Sequence, residues 1–367
     1  MNFITEIDAI QQIVNRKPTN SAVEAALGVA SQRANLGLES LADLLLAPSV
    51  YHERIIDFAA KVNSEMVGDK RVFYGVVYIH DFCVNQCTYC GDSCHIRRDN
   101  RRLLSKKEFI NDVRLLLDRH PLTQICFLMG EHPGKFTTAN LVEYLKEIRN
   151  IYSGKIILNI PPLELVQFQK IRRELRESQL QFRVFQETYD PATYKQHHLT
   201  GPKKDFLKRL KSQCRALYAN FDTVGHGVLY GVNKKPNAAA FETLAMIAHA
   251  RQIEQRFGKP SASFSFPRLL SVPGQINPSH GIEDQDFERC IAVAKIAMPK
   301  VDLILTCRET STLRSRLRPL INIEDFQARP GPGGNSNSDA HLQMILPDMR
   351  KGEEVADEMK TQGYKVV

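Results

Sequence analysis

From Lys70 onward, short apolar runs rich in β-branched residues alternate with longer amphipathic segments, and this alternation leaves few folds open. The runs lie at 72–79, 124–128, 155–160, 182–185, 223–229, 261–266, 301–306 and, more weakly, 323–326. Helical spacing fills the gaps at 106–118, 138–150, 164–176, 202–219, 238–257 and 283–297. Strands alternating with helices make βαβ units and a parallel sheet. Eight strands predict an α/β fold, a closed (β/α)8 barrel of the TIM type. An open, doubly wound sheet is the alternative, because the eighth run is poor.

Residues 1–70 read differently. Helical spacing runs through 20–33, 38–46 and 51–66, the second ending before Pro48 and the third near Gly68. Three regions are expected: an N-terminal helical extension over 1–70, a barrel over 71–330, and a C-terminal loop and short helix over 331–367, packed on the barrel. The last opens on Pro330-Gly-Pro-Gly-Gly334, a loop signature, and turns helical near 352–360.

With 43% hydrophobic and 25% charged residues the chain is globular, with material for a large core. No apolar run is long enough for a membrane helix, and the acidic, amphipathic start is neither a secretory nor a transit signal. Cytoplasm is the expected compartment. A formal charge of +8 raises nucleic acid as a partner. The basic residues, however, come in short groups mixed with acids, such as Arg97-Arg98-Asp99-Asn100-Arg101-Arg102 and Lys203-Lys204, with no interleaved aromatics. A solvated basic face with anionic small-molecule sites accounts for them, so neither nucleic acid nor membrane is expected as a partner.

Barrel active sites lie at the carboxyl ends of the strands. After the first strand comes Cys83-Val-Asn-Gln-Cys87-Thr-Tyr-Cys90, three thiols from one loop. A cubic iron–sulfur cluster normally takes four cysteine ligands, so three leave one iron open for something that reacts. A structural zinc site wants four Cys/His ligands, and Cys94 and His95 lie near enough in sequence to complete one. Eight sparse cysteines do not suit a disulfide framework, and Cys126, Cys214, Cys290 and Cys307 read as buried free thiols. Other strand ends carry Met129-Gly130-Glu131, Gln186-Glu187-Thr188-Tyr189, Gly225–Gly231, Pro267-Arg268 and Cys307-Arg308-Glu309. Convergence of these polar groups on one face is harder to obtain by chance than any single motif.

The cysteine loop, with an aromatic residue before its last cysteine, resembles that of the radical S-adenosylmethionine (SAM) superfamily. Residues 186–206, opening Gln186-Glu-Thr-Tyr-Asp190, are similar to the aromatic amino-acid lyase group of that superfamily. Its members cleave tyrosine in thiamine biosynthesis or tryptophan in making 3-methylindole-2-carboxylate. Phe264-Ser-Phe-Pro-Arg268, Leu305-Thr-Cys-Arg-Glu309 and Asn35-Leu-Gly-Leu-Glu39 fit the same group. The resemblance implies a 4Fe-4S cluster on Cys83, Cys87 and Cys90, and SAM chelated at the open iron. Reductive cleavage of SAM would give a 5′-deoxyadenosyl radical. Tyr89, Gly130, Glu131, Glu187, Arg209 and Gly227 would bind SAM, with Tyr89 and Gly227 at the adenine. Arg308 would take the substrate carboxylate, and Tyr189 stands as a further catalytic candidate. Without that framework, Glu187 with Arg209, and Arg308 with Glu309, read as ordinary ion pairs.

The implied reaction breaks a carbon–carbon bond beside the α-carbon of tyrosine, giving p-cresol and 2-iminoacetate (dehydroglycine). It implies a flavodoxin- or ferredoxin-type reducing partner and an acceptor enzyme for the unstable imine. Three departures matter. Asp92 stands where an aromatic is usual, and Cys94 is similar to methylornithine synthase. Glu324-Asp-Phe-Gln-Ala328 replaces substrate-binding serines, and an acidic pair suits a cationic substrate. A hydrogenase-maturing lyase needs a second cluster in an added domain, and no cysteine follows Cys307. A tryptophan lyase, a carbon-skeleton mutase and a non-catalytic zinc-stabilised interaction module are the alternatives.

Overall fold

A computed structural model of the chain describes residues 3–32, 34–120, 122–272, 281–337 and 343–367. Arg33, the expected end of a leading helix, and residues 338–342 of the tail lie outside them. The strands are β1 (Lys70–Tyr78), β2 (Gln86–Cys87), β3 (Gln124–Leu128), β4 (Lys155–Asn159), β5 (Leu180–Arg183), β6 (His198–Thr200), β7 (Thr223–Gly227), β8 (Ser261–Ser265), β9 (Asp302–Leu305), β10 (Ile323–Asp325) and β11 (Lys365–Val366). The helices are α1 (Phe3–Val14), α2 (Asn20–Ser31), α3 (Leu38–Leu45), α4 (His52–Val67), α5 (Lys106–Arg119), α6 (Thr138–Arg149), α7 (Leu165–Glu174), α8 (Pro191–His197), α9 (Phe206–Leu210), α10 (Ser212–Tyr218), α11 (Ala238–Phe257), α12 (Asp284–Ala297), α13 (Ser311–Leu317) and α14 (Gly352–Thr361). Among the described residues no helix is long and apolar enough to cross a membrane.

Strands β1, β3, β4, β5, β7, β8, β9 and β10 pair in parallel in that order. β10 returns to β1 through Val72–Ile323, Phe73–Glu324 and Tyr74–Asp325, so the sheet closes into a (β/α)8 barrel. The closing strand is the weak eighth run. Two acids spoil its apolar signal, yet both are buried because arginines answer them: Arg314 and Arg318 reach Glu324 at 3.0 and 2.9 Å.

Inside the barrel, Tyr74, Cys126, Ile157, Ile304 and Ile323 pack together. Outside, α5, α6 and α7 cover one flank, where capping boxes at Ser105/Glu108 and Thr137/Asn140 start α5 and α6. The other flank is thicker. Phe3, Ile7, Ile10 and Val14 of α1 and Leu41, Leu44 and Leu45 of α3 join the core of α11 and α12. α11 is therefore buried over most of its circumference. Each fully buried Leu or Ile contributes about 1.5–3 kcal/mol of hydrophobic free energy. The tail returns too, with β11 extending β1 at Lys70 and Arg71.

Two local features differ from the sequence expectation and shape the site. The helix expected over 202–219 is broken. A 3-10 turn at Pro202–Lys204 is followed by Asp205, whose side chain accepts from Lys208 N–H and starts α9 afresh, and α10 follows. β2 and β6, absent from the sequence reading, pair antiparallel with Cys87 opposite His198. Together they fold the Pro202 turn back over the cysteine loop.

Candidate active site

The loop after β1 and the residues beyond β3, β5, β8 and β9 enclose an open cavity at the barrel mouth, with about 1520 Å³ of empty space counting its mouth. Cys83, Cys87 and Cys90 line it together with Tyr89, Gly130, Glu131, Glu187, Arg209 and Arg308. Asn85 ties the parts together. Its Nδ2 donates to Glu131 Oε2 at 2.7 Å and lies 3.6 Å from Cys83 Sγ, while its Oδ1 accepts from Lys203 N–H at 2.8 Å. Gln343, from the tail, donates to Cys90 Sγ at 3.3 Å and Asp92 at 2.9 Å. Gly130 is required by close approach: a Cβ there would sit 2.2 Å from Phe82 O.

Glu187 is buried in the left-handed region at φ +69°, a conformation that costs a non-glycine residue free energy and persists where surrounding contacts over-determine it. Lys203 Nζ meets its carboxylate at 2.7 Å and Arg209 Nη2 at 3.4 Å. Burial alone would raise the Glu187 pKa, but these two cations outweigh it and hold the carboxyl below its usual range. Burial would likewise lower Lys203, and Glu187 reverses that. Arg209 also donates from Nε to Phe185 O at 2.6 Å. Two cations on one carboxylate leave a net positive, water-poor wall beside the cysteines.

Arg308 lies across the mouth. Its Nη1 donates to Arg268 O at 2.8 Å, and among the described residues no carboxylate pairs with it. Burial without an anion lowers its pKa, with Tyr78 the first of the groups opposing that. Glu309 pairs instead with Arg268, which also holds Asp284 at 2.7 Å. The sequence alternative of an Arg308–Glu309 pair is thus replaced, and Arg308 faces the cavity.

No family model matches the chain. The 2-iminoacetate synthase of Escherichia coli (strain K12) is 29% identical over 363 residues, 98% of this chain and 93% of that protein. The 2-iminoacetate synthase of Salmonella typhimurium is 29% identical over 369 residues, 99% and 93% respectively. Among solved structures, HydG, a maturase of the FeFe-hydrogenase, matches with a TM-score of 0.90 at 27% identity, over 100% of this chain and 80% of its own. HydG from Carboxydothermus hydrogenoformans gives 0.87 at 28% identity, over 99% and 84%. This chain is a radical SAM carbon–carbon lyase. It uses a 4Fe-4S cluster and SAM. Methylornithine synthase, with a TM-score of 0.73 at 19% identity over 93% of this chain, shares its fold.

The donor set of the radical SAM lyase fits that cluster. Three free thiols face one cavity, and amide N–H groups of Asn85 and Gln343 approach two of them, as thiolate ligands need. Burial pushes the Cys87 thiol up to about 11 and Cys90 further, so metal binding must displace their protons. Among the described residues, no three His, Cys, Asp or Glu groups converge on a single-ion site. Cubic clusters meet each thiolate at a different iron and want them spread apart. Cys94 and His95 are exposed and do not line the cavity, so the fourth ligand of a zinc site is not assembled there.

Several sequence expectations need correction. Tyr189 is buried away from the cavity, its hydroxyl 3.0 Å from His249 Nδ1 and its ring against Phe3. Residues 183, 185 and 187 face the cavity, but Glu187 in the left-handed region ends the extended alternation, and the chain turns Tyr189 into the helical layer, where Glu242 holds its N–H. Gly227 does not line the cavity either. A Cβ there would lie 2.4 Å from the ring of Phe185, so the glycine makes room for that side chain, which does line it. Of the acidic pair, Glu324 is consumed by Arg314 and Arg318, and only Asp325 reaches the cavity, where it accepts from Cys307 N–H at 2.6 Å. Tyr89 lines the cavity with its hydroxyl 2.7 Å from His198 Nε2. Sequence reasoning missed Asn85, Asp92, Arg183, Lys203 and Gln343 as site residues. Of these, Asn85 stood inside the cysteine motif and Lys203 inside the 186–206 stretch, and Asp92 was noted only as a departure.

Proposed function

We propose that the chain cleaves tyrosine beside its α-carbon to p-cresol and 2-iminoacetate. In this reading Cys83, Cys87 and Cys90 hold the cluster. Tyr89, Gly130, Glu131, Glu187, Lys203 and Arg209 hold SAM, and Arg308 holds the substrate carboxylate. The observation that carries it is the convergence on one cavity of three thiols, a buried Glu187–Lys203–Arg209 cradle and an arginine that has no carboxylate partner among the described residues. When bound, the cluster and SAM supply a 5′-deoxyadenosyl radical that takes hydrogen from the substrate.

The protein's own groups do the rest by position and charge. Lys203 and Arg209 suit the SAM carboxylate, and Glu131 and Glu187 its amino and ribose groups, through charge-assisted hydrogen bonds. The Arg308 guanidinium suits a carboxylate in bidentate fashion and fixes the α-carbon at the cavity mouth. A reducing partner of flavodoxin or ferredoxin type supplies the electron, and an acceptor enzyme takes the imine.

Anaerobic incubation of reconstituted protein with SAM, dithionite and tyrosine should release p-cresol and 5′-deoxyadenosine together. Deoxyadenosine with no loss of tyrosine would sink the tyrosine assignment.

A further inference from the structure

Below the rim, the barrel floor holds a second arginine that the reaction outlined above does not use. Arg183 ends β5 and points inward, 2% exposed, into the same cavity. Its Nη2 makes one long contact, 3.4 Å to Ser263 Oγ, a hydroxyl that already accepts from Gln181 Nε2 at 2.8 Å. Its Nε has no hydrogen-bond partner although buried. The guanidinium carbon stands 5.5 Å over the ring of Tyr74. Among the described residues no carboxylate pairs with Arg183. Asp325 lines the cavity but lies 3.9 Å from Arg314 and accepts from Cys307 N–H. Ser265, also 2% exposed and lining the cavity, has a buried hydroxyl without a partner.

A buried guanidinium offers only donors, and a buried serine hydroxyl can accept. Leaving both without a partner at buried positions is costly, so the floor is shaped for a polar group that arrives with the ligand. Arg183 lies within β5, in register with Gly225, whereas Arg308 lies three residues beyond the end of β9, so the two arginines lie at different depths of one cavity.

We propose that Arg183 and Ser265 form the far-end subsite of the substrate pocket, reading an oxygen on the ring edge opposite the amino-acid group. This rests on the lyase reading above and deepens it. A phenol fits: its oxygen accepts from Arg183 and its proton goes to Ser265. An indole N–H could donate to Ser265 but offers the Arg183 guanidinium no acceptor, and a bare phenyl ring would leave both groups unmet. The subsite therefore selects tyrosine over tryptophan and phenylalanine.

The test measures deoxyadenosine release with tyrosine, phenylalanine and tryptophan for the wild type, Arg183→Met, Arg183→Lys and Ser265→Ala. Thermal-shift binding of tyrosine against phenylalanine serves as a readout that needs no turnover. The wild type should favour tyrosine by at least about a hundredfold in kcat/KM, since a site built to bind a hydroxyl rejects analogues lacking it. Arg183→Met should cut that preference to roughly tenfold or less, mainly by raising KM for tyrosine, with Arg183→Lys recovering part of it. If Arg183→Met does not fold, Ser265→Ala should still lower the preference. A wild type that accepts phenylalanine as well as tyrosine, or variants that keep the full preference, overturns the subsite and leaves the lyase standing. No release with any of the three amino acids overturns the lyase reading itself, and the subsite falls with it.

Discussion

Lys203 is the residue on which the proposed SAM cradle turns. A lysine in a Gly-Pro-Lys-Lys turn carries no periodic signal, so the sequence assigns it to a solvated face. Its burial is a product of long-range pairing: β2 against β6 folds the turn onto the cysteine loop, and Asn85 fixes its backbone at 2.8 Å. Lys203→Met should weaken SAM binding about tenfold, measured by equilibrium binding to the reconstituted protein, because one of two cations on Glu187 is lost. Lys203→Arg should recover part of that loss. Arg308→Lys should raise KM for tyrosine roughly tenfold, a point charge replacing a bidentate fork. The convergence of Cys83, Cys87 and Cys90 on the cavity, by contrast, was legible from the sequence alone, since it depends on local spacing within one loop. Tyr189 was misread for the complementary reason. A motif places a residue beside the site, but the left-handed turn at Glu187, which no periodicity announces, decides which way the next residues point.

At the scale of elements, the barrel strands and most helices follow from periodicity, and the departures come from single polar residues. Asp205 caps a helix where helical spacing runs on, and Glu324 hides a strand. The loop after β3 packs against the cysteine loop so closely that Gly130→Ala should displace one of them. Iron bound per chain after reconstitution should drop, and iron analysis checks it. The loop after β5 is held from α11, where Glu242 accepts from Tyr189 N–H at 2.7 Å and Asn233 Nδ2 at 2.8 Å, and from the Thr188 hydroxyl at 2.5 Å. Burial pushes its carboxyl from 4.5 up to about 7, against those bonds. Between those values the folded chain keeps a proton that the unfolded chain has released. This contribution is therefore present below about pH 4.5 and lost as pH rises through about 7, on the order of 1–3 kcal/mol. Urea unfolding at pH 5, 6 and 7 should show a shallower decline for Glu242→Gln than for the wild type.

At the scale of the molecule, the chain closes on itself through charge as well as through apolar packing. Glu324 holds Arg314 and Arg318 from β10, Arg314 reaches Asp348 at 2.7 Å, and Arg350 joins Asp348 to Glu358 on α14. The tail that carries Gln343 to Cys90 is thus anchored to the strand that closes the barrel. Glu324→Ala removes the carboxylate shared by two buried guanidiniums, leaving Arg314 chiefly Asp348 and Arg318 only the half-buried Glu358, and should destabilise the fold by about 3–5 kcal/mol in urea unfolding. None of this network was legible in the sequence, because no period or motif marks its charges and the link that joins its two halves, Arg314 to Asp348, spans 34 residues. The account stands on the cysteine loop and the Glu187–Lys203–Arg209 cradle being one site. Electron paramagnetic resonance of the reduced, reconstituted protein, titrated with SAM, measures that directly. The cluster signal should change shape as SAM saturates, with weaker binding in Lys203→Met and no signal in Cys87→Ala. A cluster signal that stays the same at saturating SAM would contradict it.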